Sequence, residues 1–158
     1  MGVLDAIGYT SMAQLRRVLP PGCADIFVKL EWENPTGSMK DRMAQAVIAR
    51  AEADGRLGPG GTVVEYTGGS TGTSLALVCA ARGYGLKIVT SDAFSREKLD
   101  HMVALGAELT LVPSEGGEEG TLQQVVEQGD APRRELVGLP VGDDFAEEAR
   151  QAVGEERR

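Results

Sequence analysis

The sequence predicts an α/β fold: a parallel sheet flanked by helices in a three-layer α/β/α arrangement. Three observations predict it. Between Thr62 and Val112, short apolar runs rich in β-branched residues alternate with longer runs of helical composition. The connections between these runs are short and rich in glycine and small polar residues. Strand–helix–strand units joined in this way lie parallel in one sheet and cover it with their helices.

The elements follow in order. Asp25–Glu31 (DIFVKLE) has the length and β-branched content of a strand. Asn34-Pro35-Thr36-Gly37 reads as a turn, because proline fixes φ and glycine admits angles that other residues avoid. Ser38, with Asp41 three residues later, resembles a capping box, so a helix is expected to begin there. Ala44, Val47, Ile48 and Ala51 then recur at helical spacing until Gly55 and the Gly58-Pro59-Gly60-Gly61 cluster. Thr62–Tyr66 is a short strand, Thr67–Gly72 a loop of small residues, and Thr73–Arg82 a helix with Gly83 at its C-cap. Leu86–Thr90 is the next strand. Ser95 is expected to cap a helix reaching Ala104, with Gly106 beyond it. Glu108–Val112 closes the series.

Composition narrows the function classes. A chain of 158 residues suits about one domain. The formal net charge of −8 repels phosphate backbones, so nucleic acid is not an expected partner. No run of about 18 apolar residues is present, and no membrane span is expected. Met1–Leu15 lacks a basic start followed by an apolar core, so no secretory signal is expected either. Cys23 and Cys79 are too few for a disulfide framework, and Cys79 lies in an apolar run as a buried small side chain would. These features fit a cytoplasmic protein. His101 is the only histidine and reads as a helix-surface residue, so no metal is expected. Trp32 reads as a packing residue beside the Asn34 turn.

Two segments point to chemistry. Lys40 sits at the start of a helix, where partial positive charge disfavours a second cation. A lysine kept neutral condenses with aldehydes, although most lysines are solvated surface residues. Thr67–Gly72 lies between a strand and a helix, where backbone N–H groups bind a phosphate or a carboxylate. A tight strand-to-helix turn gives the same pattern. No lysine follows Gly72, so the loop is not a Walker A motif, and it is not G-x-G-x-x-G.

Taken together, in this order, the two segments resemble the cysteine synthase and cystathionine β-synthase family. These are tryptophan synthase β-like, fold type II pyridoxal-phosphate enzymes. The family pattern K-L-E-x-x-N-P-x-G-S-x-K-D-R is matched by Lys29-Leu30-Glu31 and by Asn34-Pro35-Thr36-Gly37-Ser38-Met39-Lys40-Asp41-Arg42. The later G-x-x-x-x-E-x-T-S-G-N-T-G is similar to Gly61, Glu65 and Thr67-Gly68-Gly69-Ser70-Thr71-Gly72. Ile7-Gly8-Tyr9-Thr10, Ala81-Arg82-Gly83-Tyr84, Leu105-Gly106-Ala107-Glu108 and Val112-Pro113 match further segments, so the resemblance covers roughly residues 5–117.

The resemblance implies the roles. Lys40 is the expected catalytic residue, holding pyridoxal 5′-phosphate covalently and moving a proton at the substrate Cα. Thr67, Gly68, Gly69, Ser70 and Thr71 are the expected substrate-binding residues, gripping the carboxylate of an amino acid. Ser70 is also an expected cofactor contact, standing where the family has an asparagine. Gly68 stands where the family has a serine. The implied reaction is β-elimination or β-replacement on a serine-derived amino acid, and the implied fold is the family's smaller domain plus its N-terminal segment.

The family's phosphate cup and its Ser or Thr facing the pyridine nitrogen belong far beyond the lysine, and this chain ends 118 residues after Lys40. Gly116-Gly117 and Gly120-Thr121 come too early for that cup. Residues 1–114 carry 12 acidic and 11 basic side chains, net −1, whereas residues 115–158 carry 12 acidic and 5 basic, net −7. The expectation is therefore an N-terminal enzyme portion over 1–114 and an acidic, divergent tail over 115–158. In that tail Leu122, Val125 and Val126, then Phe145, Ala149 and Val153, suggest helical faces, with the remainder partly disordered. A truncated or frame-shifted product is expected, lacking half its site. A homodimer or a completing partner chain would cover its exposed apolar surface. The rival readings are a non-catalytic module that binds an anion or a full-length partner, and an unrelated βα nucleotide binder.

Overall fold

The structure, a computed structural model, describes residues 2–112 and 136–138. Four parallel strands form the main sheet: β3 (Thr62–Tyr66), β4 (Gly85–Ser91), β5 (Glu108–Val112) and β6 (Leu136–Gly138), in the order β5-β4-β3-β6. A separate antiparallel pair joins β1 (Met12–Gln14) to β2 (Phe27–Lys29). Three helices accompany them: α1 (Lys40–Ala53), α2 (Ser70–Arg82) and α3 (Arg96–Ala104).

The predicted series β3-α2-β4-α3-β5 is present. Val63, Val64, Ile88 and Val89 are all at most 1% exposed, so both faces of the central strands are covered, as a layered α/β fold requires. The core joins Val63 and Ile88 to Leu75, Val78 and Cys79 of α2, Ala44, Ile48 and Ala51 of α1, and Met102 of α3. Gly83 ends α2 at φ 78°, the left-handed conformation that glycine adopts without a Cβ clash. Cys79 is buried, and burial pushes its thiol up to about 12, so it is an inert packing residue.

Several expectations are corrected. The Asp25–Glu31 strand is confined to Phe27–Lys29, because Glu31 begins a 3-10 turn (Glu31–Glu33). Its partner β1 has the sequence Met-Ala-Gln, which carries no β-branched signal. The capping box at Ser38 does not form. Met39 is the N-cap residue of α1, and Ser38 Oγ accepts from the Lys40 backbone N–H at 3.1 Å. Helix α2 starts three residues before Thr73, which places Ser70, Thr71 and Gly72 in its first turn. Ser95 precedes α3, but its side chain makes no cap; its carbonyl accepts from Lys98 and Leu99 instead. Trp32 is 68% exposed rather than packed. His101 is exposed on α3, as expected. The helical faces expected at Leu122–Val126 and Phe145–Val153 lie outside the described residues.

Candidate active site

The lysine turn is held by a polar network drawn from four separate segments. Asn34, only 3% exposed, donates to the Glu31 carbonyl at 2.9 Å and to Glu31 Oε2 at 2.8 Å, and its Oδ1 accepts from Gly8 N–H at 2.9 Å. Arg42 grips Glu31 with both ends of its fork, Nε to Oε2 at 3.0 Å and Nη2 to Oε1 at 2.9 Å. The same Nη2 donates to the Gly8 carbonyl and to Thr10 Oγ1. The Arg42 side chain, followed by hydrogen bonds from Asn34 and Thr10, holds the Glu31 carboxyl down at about 2, against the opposing effect of partial burial. Thus Ile7–Thr10, Lys29–Glu31, Asn34 and Arg42 form one brace around the start of α1.

Lys40 is the first residue of α1 and is half-buried. Its backbone is fixed by Ser38. Among the described residues its Nζ has no hydrogen bond or ion pair, which leaves the amine available. The next residue, Asp41, is fully buried. Its carboxylate accepts from Thr36 N–H at 2.8 Å, from the Thr36 hydroxyl, and from Ser74 Oγ of α2 at 2.6 Å. Ser74 is one turn into α2, so Asp41 ties the first turn of the lysine helix to the second turn of the loop helix. Sequence spacing assigned Asp41 a local capping role and missed this link. A buried carboxylate flanked by hydroxyls in separate segments leaves no trace in a linear pattern.

The loop Thr67–Thr71 stands at the C-terminal end of β3, over the end of β4. Thr67 N–H donates to the Val89 carbonyl at 3.3 Å, and Thr67 Oγ1 accepts from Gly69 N–H at 3.4 Å. Gly69 is the N-cap of α2 and supplies no side-chain cap, so the leading N–H groups of Ser70 and Thr71 have neither an intrahelical partner nor a capping side chain. Such a helix start accepts a carboxylate or phosphate. Gly68 is buried beneath Phe94: a Cβ there would lie 2.1 Å from the ring. Gly72 is packed between Met102 and the Thr67 methyl, with 2.8 Å available to a Cβ. Ser70 is exposed and Thr71 half-buried at the mouth of the loop.

Glu65 lies on β3, two residues before the loop. Burial, weakly offset by a hydrogen bond from the Tyr66 backbone, pushes its carboxyl up to about 8. No group of three or more metal-ligating side chains occurs among the described residues. No helix among them is long and apolar enough to cross a membrane.

The free lysine amine, the uncapped α2 start and the clamp between them fit a cofactor aldehyde and a substrate carboxylate. Comparison with known proteins supplies the family. Residues 3–144 match the model of the family described as pyridoxal-phosphate dependent enzymes, so the change in charge at Glu115 lies inside the match. The chain is 42% identical over 125 residues to a cysteine synthase of Staphylococcus aureus (strain Mu50 / ATCC 700699), covering 79% of this chain and 40% of that enzyme. The crystal structure of O-ureido-L-serine synthase superposes with a TM-score of 0.76 at 41% identity, over 81% of this chain and 40% of that one. O-acetyl serine sulfhydrylase isoform 3 from Entamoeba histolytica superposes with a TM-score of 0.82 at 31% identity, over 97% of this chain and 50% of that one. The chain thus spans about two-fifths to one-half of the length of these relatives. With its lysine-bearing helix, its uncapped loop helix and a match across most of its length, the chain belongs to the pyridoxal-phosphate-dependent enzyme family, with the α/β architecture of fold type II.

Proposed function

We propose that this chain supplies the lysine-bearing part of a cysteine synthase-like site, acting in β-elimination or β-replacement on a serine-derived amino acid. The observation that carries the reading is the half-buried Lys40, its amine without a partner among the described residues, joined through Asp41 and Ser74 to the uncapped start of α2. In this reading Lys40 holds pyridoxal phosphate through its amine and shuttles the Cα proton. Ser70 lies beside the cofactor ring, and Thr67, Gly68, Gly69, Ser70 and Thr71 hold the substrate carboxylate. The bound cofactor supplies an electron sink for the carbanion at Cα. Residues 1–114 form the enzyme's N-terminal portion in this reading, and residues 115–158 an acidic segment of separate character.

In this reading the chain associates with a second copy of itself or with a partner chain. The N-terminal segment has a surface suited to that contact. Tyr9 is 87% exposed, Met12 66%, Phe27 54% and Met39 59%. Large apolar side chains left in water at this density favour association.

Titration of the purified chain with pyridoxal phosphate tests the reading, with borohydride reduction and peptide mapping to locate the adduct. The chain has only three other lysines, Lys29, Lys87 and Lys98. The expected result is a visible absorption band and a reduced adduct on Lys40, both lost in Lys40→Ala while the circular dichroism is unchanged. Adduct spread evenly over the four lysines, and unaffected by Lys40→Ala, would favour a non-catalytic anion-binding module instead.

A further inference from the structure

We propose that Phe94 is a specificity-determining residue of the Thr67–Thr71 loop, replacing a side chain at position 68 with an aromatic wall. The proposal rests on the loop being the amino-acid site. A Cβ built on Gly68 would stand 2.1 Å from both Cγ and Cδ2 of Phe94 and 2.5 Å from Cδ1. These are atoms of a rigid ring near its root, so no side chain at 68 coexists with Phe94 in this position. The ring is carried by the connection between β4 and α3. That connection is fixed by Ala93 N–H donating to Ser91 Oγ at 3.2 Å and Phe94 N–H donating to the Ser91 carbonyl at 3.3 Å.

Gly68 is buried while Phe94 keeps 40% of its surface exposed, so the ring covers the loop and presents its remaining surface to solvent. Two consequences follow for a ligand. At position 68 the only donor is the backbone N–H, since no side chain is available there to donate. The space above the glycine is bounded by hydrocarbon, which limits the bulk of the group admitted beside the carboxylate. The chemical class selected is a small α-amino acid with a compact β-substituent, on the scale of serine. Bulky aromatic or branched substituents meet the ring.

The test uses the full chain as wild type, Phe94→Ala, Phe94→Leu, Gly68→Ser and the double variant Gly68→Ser/Phe94→Ala. Phe94→Ala is expected to displace the amide resonances of Gly68 and Gly69, because the ring current is removed. Gly68→Ser is expected to lower the thermal midpoint in the wild-type background, with the loss relieved in the double variant. With pyridoxal phosphate present, L-serine and O-benzyl-L-serine serve as probes. Phe94→Ala is expected to improve the affinity ratio for the benzyl derivative at least about tenfold, with Phe94→Leu intermediate. Additive effects of the two substitutions, or unmoved glycine resonances, would overturn the pairing. Binding of both probes with an unchanged ratio would overturn the specificity role alone. No probe binding in any variant, with the pairing intact, would instead overturn the loop as an amino-acid site, and the specificity role with it.

Discussion

At the scale of single residues, the most consequential side chain beside the lysine is Asp41. Fully buried, it has no cation in contact among the described residues, and its oxygens accept from three donors at the first turn of α1. Removing it leaves Thr36 N–H, the Thr36 hydroxyl and the Ser74 hydroxyl facing a void. Asp41→Ala is expected to destabilise the fold by about 2–4 kcal/mol, measured by chemical denaturation. Asp41→Asn keeps the volume but turns one acceptor into a donor that faces other donors, so it is expected to recover less than half of the loss. The clamp also fixes the separation of Lys40 from the loop. Asp41→Asn is therefore expected to reduce adduct formation at Lys40 even at temperatures where the chain is fully folded.

At the scale of elements, the brace of Ile7–Thr10, the β2–3-10 segment and α1 behaves as one unit through Glu31. A carboxyl held at about 2 in the fold, against an ordinary value of 4.5, favours the folded state at any pH above 4.5. That contribution is lost as the pH falls from 4.5 towards 2, when the carboxylate takes up its proton and Arg42 loses its partner. Arg42→Lys cannot form the two-pronged contact, so the acid limb of unfolding is expected to move up towards the ordinary carboxylate range. Acid titration followed by circular dichroism measures this, with Glu31→Gln removing that limb altogether.

The same unit marks the limit of what the linear sequence discloses. The β3-α2-β4-α3-β5 series was legible because each element satisfies its own periodicity and the loops between them are short. The position of Lys40 and of the Thr67–Thr71 loop was legible from paired motifs. The brace was not, because Gly8, Thr10, Glu31, Asn34 and Arg42 meet only after β1 and β2 pair, and β1 is a tripeptide with no β-branched residue to mark it as a strand. The cover of Phe94 over Gly68 was equally hidden: a glycine shows that space is scarce, but not which residue fills it.

At the scale of the whole molecule, Glu31 and Glu65 set opposite pH dependences. Glu65 keeps its proton in the folded state up to about 8, whereas in the unfolded chain it releases it near 4.5. Between those values the folded state binds one more proton, so raising the pH shifts the equilibrium towards unfolding. The full cost, reached above pH 8, is on the order of a few kcal/mol. With Glu31 lost below 4.5 and Glu65 opposed above it, these two groups place maximum stability in the mildly acid range, near pH 4.5–5. Glu65→Gln reproduces the neutral form at the same volume. Its stability is expected to lie close to wild type at pH 4 and to exceed it at pH 8, measured by denaturant unfolding at both values. The surplus of acidic over basic side chains makes self-repulsion grow with pH in both proteins, so the difference between them isolates Glu65. Equal pH slopes in the two proteins would mean that water reaches the half-buried Glu65 carboxyl in solution well enough to keep it ionised.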